Sequence, residues 1–177
     1  MMSILNATKF RYREDGEVEA YIPIHGSWNQ FVGELPADAV FDNERPRIMF
    51  RKFITRDMLR TEPQVLFVFG DNLLRKGSGG QAKDMRGEPN AVGLPTKKEP
   101  SMQPTAFFGN EDFEMWKKAS YDDWKRLFEH LKQGGSLVWP SNGIGTGLAN
   151  LQETAPDIEA SIKRNLQAMI AIADRHI

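Results

Sequence analysis

The chain has 177 residues, 40% of them hydrophobic and 27% charged, enough for one ordinary globular core. Its formal net charge of -1 gives no bulk attraction for nucleic acid or for an anionic membrane. The lack of cysteine excludes disulfides, thiol nucleophiles and thiolate zinc sites, and suits a reducing compartment. Met1 to Phe10 shows no basic stretch followed by an apolar run, and no apolar run nears the ~18 residues of a membrane span. A cytoplasmic location is therefore expected. His25, His130 and His176 are too far apart to read as a ligand-spaced pair, so no metal and no other cofactor is expected.

In chain order, residues 8–24 read as a hairpin. Lys9 to Arg13 alternates polar and apolar, Asp15-Gly16 is a turn dipeptide, and Val18, Ala20 and Ile22 resume the alternation. Residues 25–46 carry Gly, Pro, Asn and Asp among scattered apolar residues and predict an irregular connection or small cap. Arg47–Ile54 predicts a strand, and Thr55 a cap for a short helix to about Arg60. Val65–Phe69 is an unbroken apolar run, the pattern of a central strand covered on both faces. A short helix is expected within 79–86, then a strand at Ala91–Leu94 stopped by Pro95.

Ser120 predicts the start of a helix whose Tyr121, Trp124, Leu127, Phe128 and Leu131 share a face and which Gly134-Gly135 ends. Leu137–Trp139 predicts a third short strand stopped by Pro140. Thr154 predicts the cap of a last helix with a stripe of Ile158, Ile162, Leu166, Met169, Ile170 and Ala173. Apolar strands alternating with amphipathic helices imply a sheet between helix layers. In such folds ligands gather at the carboxyl ends of the strands.

Two glycine-rich stretches follow buried strands directly, at the same end of the sheet if those strands run parallel. The first is Gly70-Asp71-Asn72 with Gly77-Ser78-Gly79-Gly80-Gln81-Ala82. Glycine lets the backbone approach a ligand closely, and successive N–H groups can then line a concavity that suits phosphate. A helix starting near Gly80 would add its free N–H groups. Asp71 and Asn72 would meet sugar hydroxyls. The spacing is neither a Walker A motif nor a dinucleotide Gly-x-Gly-x-x-Gly. The second stretch is Ser141-Asn142-Gly143-Ile144-Gly145-Thr146-Gly147-Leu148. Its backbone could cradle a diphosphate, with the Thr146 hydroxyl donating and Ile144 lying against a ribose. Arg86, Lys97 and Lys98 lie between; each reads first as solvated surface charge, with a phosphate or carboxylate partner as the sharper alternative. Phe107 and Phe108 read as core, with base stacking as the sharper alternative.

Val65 to Ala82 resembles the first ligand loop of macrodomains, and Trp139 to Leu148 resembles their phosphate-holding loop. The resemblance spans residues 47–177 and leaves 1–46 as an N-terminal hairpin and irregular extension. Gly70 to Ser101 also resembles a group of uncharacterised bacterial and phage proteins. The macrodomain resemblance implies a three-layer α/β/α fold with a mixed sheet and a pocket for ADP-ribose or a related NAD-derived nucleotide. It implies that Asn72 reaches the distal ribose and that Gly79-Gly80 and Ser141 to Leu148 embrace the diphosphate. The family's adenine-reading aspartate falls at Phe53, and its two catalytic aspartates fall near Ala82 and at Ala149. Asp71 or Asp84, with Arg86 or Lys83, are the substitutes at hand. Three readings stay open: a hydrolase of ADP-ribose conjugates, acting on an ADP-ribosylated macromolecule through Asp71 and Asn72; a non-catalytic reader or sequestering module; or a ligand-free partner-binding domain.

Overall fold

A computed structural model describes residues 9–22, 27–37 and 39–175. It is a mixed α/β fold with two sheets. In the first, β1 (Lys9–Tyr12), β2 (Val18–Ile22) and β3 (Ser27–Gln30) form an antiparallel meander. The hairpin register is as the alternation predicts, and Gly16 takes φ +82 in the turn. The strand β3 is unforeseen, because Ser27-Trp28-Asn29-Gln30 carries no apolar alternation. It forms as an edge strand in which Trp28 packs on Tyr21 and the Arg11 guanidinium lies 4.4 Å from the indole centroid.

The main sheet has the order β4 (Ile48–Arg51), β7 (Ser136–Pro140), β5 (Val65–Asn72), β6 (Ala91–Lys97), and every pairing is parallel. The expected mixed sheet is thus a parallel sheet plus a separate antiparallel one. The parallel arrangement follows from the connections: α1 (Arg56–Thr61) joins β4 to β5, α2 (Ala82–Met85) joins β5 to β6, and α3 (Phe113–Ala119) with α4 (Tyr121–Lys132) joins β6 to β7. Helices cover both faces. Leu66, Val68, Val92, Leu94, Leu137 and Trp139 face Trp116, Trp124, Leu127 and Leu131, together with Ile158, Ile162 and Met169 of α6 (Pro156–Asp174). Phe67, Phe69, Met49 and Val138 face Leu59, Ala82 and Met85 on the other side. Burial on both faces is why Val65–Phe69 reads as continuous apolar sequence.

Several boundaries differ from the sequence expectations, each for a local reason. Pro95 does not stop β6, because that strand is the sheet edge, where a missing N–H costs no ladder bond. Its carbonyl accepts the Trp116 indole N–H at 2.8 Å. Pro140 is likewise the last residue of β7, opposite Arg51. Thr55 accepts from the Met58 amide and caps α1 as expected. Ser120 and Thr154 do not cap: the Ser120 hydroxyl donates back to the Lys117 carbonyl, and Thr154 to Asn150. The residue before α6 is Ala155, and Thr154 closes a separate turn, α5 (Leu151–Thr154). Tyr121, the first residue of α4, is exposed rather than on the buried face of that helix. His130 is half-buried, and burial pushes its imidazole down from the usual histidine range even though it contacts the Ser136 carbonyl. His25 and His176 lie outside the described residues. Among the described residues no helix is long and apolar enough to cross a membrane.

The N-terminal sheet docks on the β4 edge. The Phe50 amide donates to the Glu14 carbonyl, and the buried Arg51 donates to the Asp15 carbonyl at 2.9 Å and to both carboxylate oxygens of Glu62. Burial alone would raise the Glu62 carboxyl, but hydrogen bonds and charge from Arg51, then Arg45, outweigh it and hold Glu62 below the usual glutamate range. A carboxyl lowered in this way stabilises the fold fully above its unfolded value of about 4.3, and that contribution is lost as pH falls through the lower folded value. Thermal melts of the wild type and Glu62→Gln should differ near neutral pH and converge in acid. A gap that does not change with pH would mean the ion pair contributes nothing to this coupling.

Candidate functional site

Because β5, β6 and β7 are parallel, their carboxyl ends share one rim of the sheet. The residues that follow them enclose a cavity of about 490 Å³. Gly70, Asp71, Asn72 and residues 76–82 form one wall. Asn142, Gly143 and residues 145–149 form another, and Thr96, Lys97 and residues 99–102 a third, with Arg86 reaching in. The two glycine loops that the sequence singled out are therefore neighbours. A more open groove of about 590 Å³ lies where β5 and β6 begin, lined by mixed charges on α4 such as Asp122, Lys125, Arg126 and Glu129.

Backbone geometry explains some of the loop glycines and leaves others unexplained. Gly145 takes φ +81, and a Cβ there would sit 2.3 Å from Leu151. Gly77 takes φ +87 and packs on Pro100. Folding requires both to be glycine. Gly79 and Gly147 differ: neither has a φ in the left-handed region, and a Cβ at either would meet nothing within 4 Å. The fold does not require glycine at those two positions, and both border the cavity. Among the described residues, no acceptor bonds to the amide N–H groups of Gly77, Ser78, Gly79, Gly80 or Gln81, nor to those of Gly145, Thr146, Gly147 or Leu148. The helix α2 starts only at Ala82 and is four residues long, so its dipole adds little.

The side chains are more fully engaged than the sequence suggests. The Asp71 carboxylate is buried; Oδ1 accepts from the Asn72 amide at 2.8 Å and from Arg86, while Oδ2 lies 3.5 Å from Arg75. The same Arg86 donates to the Gly77 carbonyl, and Arg75 reaches on to Asp123 of α4 at 2.6 Å. Burial raises the Asp123 carboxyl, and the Arg75 guanidinium only partly offsets it. Asp71 is thus the hub that ties the first glycine loop to the sheet. The Asn72 side chain bridges the Lys76 backbone, donating to its carbonyl at 2.7 Å, and so shapes the turn.

Of the second loop, the Thr146 hydroxyl donates to the Asn142 carbonyl at 2.7 Å and leaves the Thr146 amide as the free donor. Ile144 turns into the core rather than lying along the cavity. The Ser141 amide donates to the Arg51 carbonyl, and Ser141 stands outside the cavity wall. Asp84 and Lys83 do not line the cavity either. Phe108 is core, and Phe53 is exposed. Lys97 is buried and lines the cavity, which corrects the favoured reading of it as solvated surface charge. Its neighbour Lys98 pairs instead with Asp112 at 2.7 Å. Among the described residues no group of His, Asp or Glu is placed to hold a metal ion.

These features define an α/β protein with a donor-lined cleft at the carboxyl rim of a parallel sheet. Residues 49–165 match a family of unknown function (DUF7831), and the chain belongs to that family. The matched segment takes in all three walls of the cleft. No curated protein and no solved structure matches the chain.

Proposed function

We propose that the cleft binds ADP-ribose or a related NAD-derived nucleotide, with its diphosphate between the two glycine loops, in a macrodomain-like manner. The observation that carries this is the pair Gly79 and Gly147. The fold tolerates a side chain at both, yet both are glycine and face the same cavity, beside amides that lack acceptors. A ligand that approaches the backbone closely accounts for both facts. The cavity volume lies within the range of small-molecule sites.

The binding-module reading is favoured over hydrolysis. Asp71, the residue best placed for catalysis, already has its carboxylate engaged by two guanidinium groups and a backbone amide. Those contacts suit a structural anchor better than a general base, which needs a free lone pair aimed at water or substrate. The position of the family's adenine-reading aspartate is held by Phe53, which is exposed and does not line the cavity, so affinity should rest mainly on the diphosphate and ribose.

Calorimetry with ADP-ribose, NAD, AMP and cyclic ADP-ribose tests the proposal. Heat with ADP-ribose at micromolar to sub-millimolar Kd, and weaker binding of AMP, is expected. Absence of heat with all four at about millimolar concentration would shift the function to a protein-contacting role. A turnover assay on ADP-ribosylated protein separates the two nucleotide readings: binding without product release supports the module.

A further inference from the structure

Two cationic side chains are buried among the described residues, Arg51 and Lys97. Arg51 has the ordinary solution, a bidentate carboxylate partner in Glu62. Lys97 has none: among the described residues no carboxylate lies within 4.0 Å of its ammonium. Its surroundings are the Ser101 carbonyl, the Met102 sulfur at 3.6 Å and the Phe107 ring, whose centroid is 4.5 Å away. A carbonyl, a thioether and a π face compensate a desolvated charge poorly, and buried charges are otherwise paired. An ammonium also has three donors, of which the Ser101 carbonyl takes one and the sulfur only a weak share. Lys97 faces the cavity whose other walls carry free amides. Among the described residues this charge has no carboxylate partner, and it borders a cavity that an external anion can enter.

We infer that Lys97 is an anion-recognising residue of the cleft. It takes by charge a phosphate-class group of the ligand, which the glycine loops meet only through backbone amides. The inference deepens the nucleotide reading, and rests on it for the identity of the rest of the ligand. It has a consequence for stability that a structural lysine would not have. Removing a buried charge that lacks a carboxylate partner relieves its desolvation, which outweighs its one hydrogen bond to the Ser101 carbonyl, so the empty protein should stay at least as stable, whereas removing a residue kept only for packing should weaken it.

The test compares the wild type, Lys97→Met and the exposed-site control Lys118→Met, by calorimetry and thermal melting. The probes are inorganic pyrophosphate and ADP-ribose. The expected result is that Lys97→Met binds both probes about 10- to 100-fold more weakly, the loss of a charge-assisted hydrogen bond. Its melting temperature without ligand should equal or exceed that of the wild type, and Lys118→Met should match the wild type throughout. Lys97→Gln is measured beside it and carries the test if Lys97→Met does not fold, since an amide can still donate toward the Ser101 carbonyl. Unchanged affinity for both probes overturns the inference and leaves the nucleotide reading standing. A melting temperature well below wild type in both Lys97→Met and Lys97→Gln also overturns it, by making the lysine structural. Lys97-dependent binding of pyrophosphate with no binding of ADP-ribose sustains the inference and removes the nucleotide reading. Binding of neither probe to the wild type removes both.

Discussion

Asp71→Ala is expected to destabilise the protein by about 3 kcal/mol, the cost of removing one partner from a buried ion pair. For a chain of this size that is a drop of roughly 6–12 °C in melting temperature. The magnitude follows from what is stranded. Arg86 loses its carboxylate while its Nε is already buried without a partner. Arg75, at φ +54, loses one of the two carboxylates it touches, and the Asn72 amide loses its acceptor. Arg86 keeps some contact with water, which places the cost at the lower end of the range for buried pairs. Because Arg86 also holds the Gly77 carbonyl, the first glycine loop should loosen and ligand affinity should fall with stability. Asp71→Asn keeps the shape but not the charge and should lose less. The opposite pattern would reassign the residue: near-normal melting and retained ADP-ribose binding, with loss of turnover on ADP-ribosylated protein, would make Asp71 a catalytic group.

The elements that the sequence revealed are those whose burial leaves a period. Val65–Phe69 announced a strand covered on both faces, and the stripe from Ile158 to Ala173 announced α6. The convergence of the two glycine loops was legible because it needs only that β5 and β7 be parallel, and they are adjacent as well. What stayed hidden depends on neighbours distant in the chain. Ser27–Gln30 becomes a strand only because β2 offers an edge. Pro95 continues a strand only because β6 is at the margin of the sheet. Asp71 and Asn72 were legible as cavity residues, but their engagement within the fold was not. Their partners Arg75 and Lys76 are brought round by a turn with positive φ at Arg75, and Arg86 returns from the end of α2. Ile144 alternates with glycines just as a ligand-facing residue would, and only the packing of the sheet shows that it points inward. The difference between Lys97 and Lys98, adjacent and chemically identical, is likewise set by distant neighbours: Lys97 ends β6 in a buried position, and Lys98, just past it, meets Asp112.

Gly147→Val separates a glycine kept for folding from one kept for a ligand. The position is exposed, its backbone is not left-handed, and the space beyond a Cβ is open, so the fold should tolerate the change within about 0.5 kcal/mol. The same branched side chain projects where a diphosphate would approach the Thr146, Gly147 and Leu148 amides. Losing one to two hydrogen bonds to a charged group should weaken ADP-ribose binding about 100-fold or more. Gly145→Ala is the counter-case: with φ +81 and Leu151 at 2.3 Å from the new Cβ, it should lower the melting temperature and distort the loop at once. Calorimetry and melting on both variants give four numbers with a fixed ordering. If Gly147→Val melts as the wild type and binds ADP-ribose as the wild type, the open space over that glycine holds no ligand, and the cleft loses the observation on which its function was read.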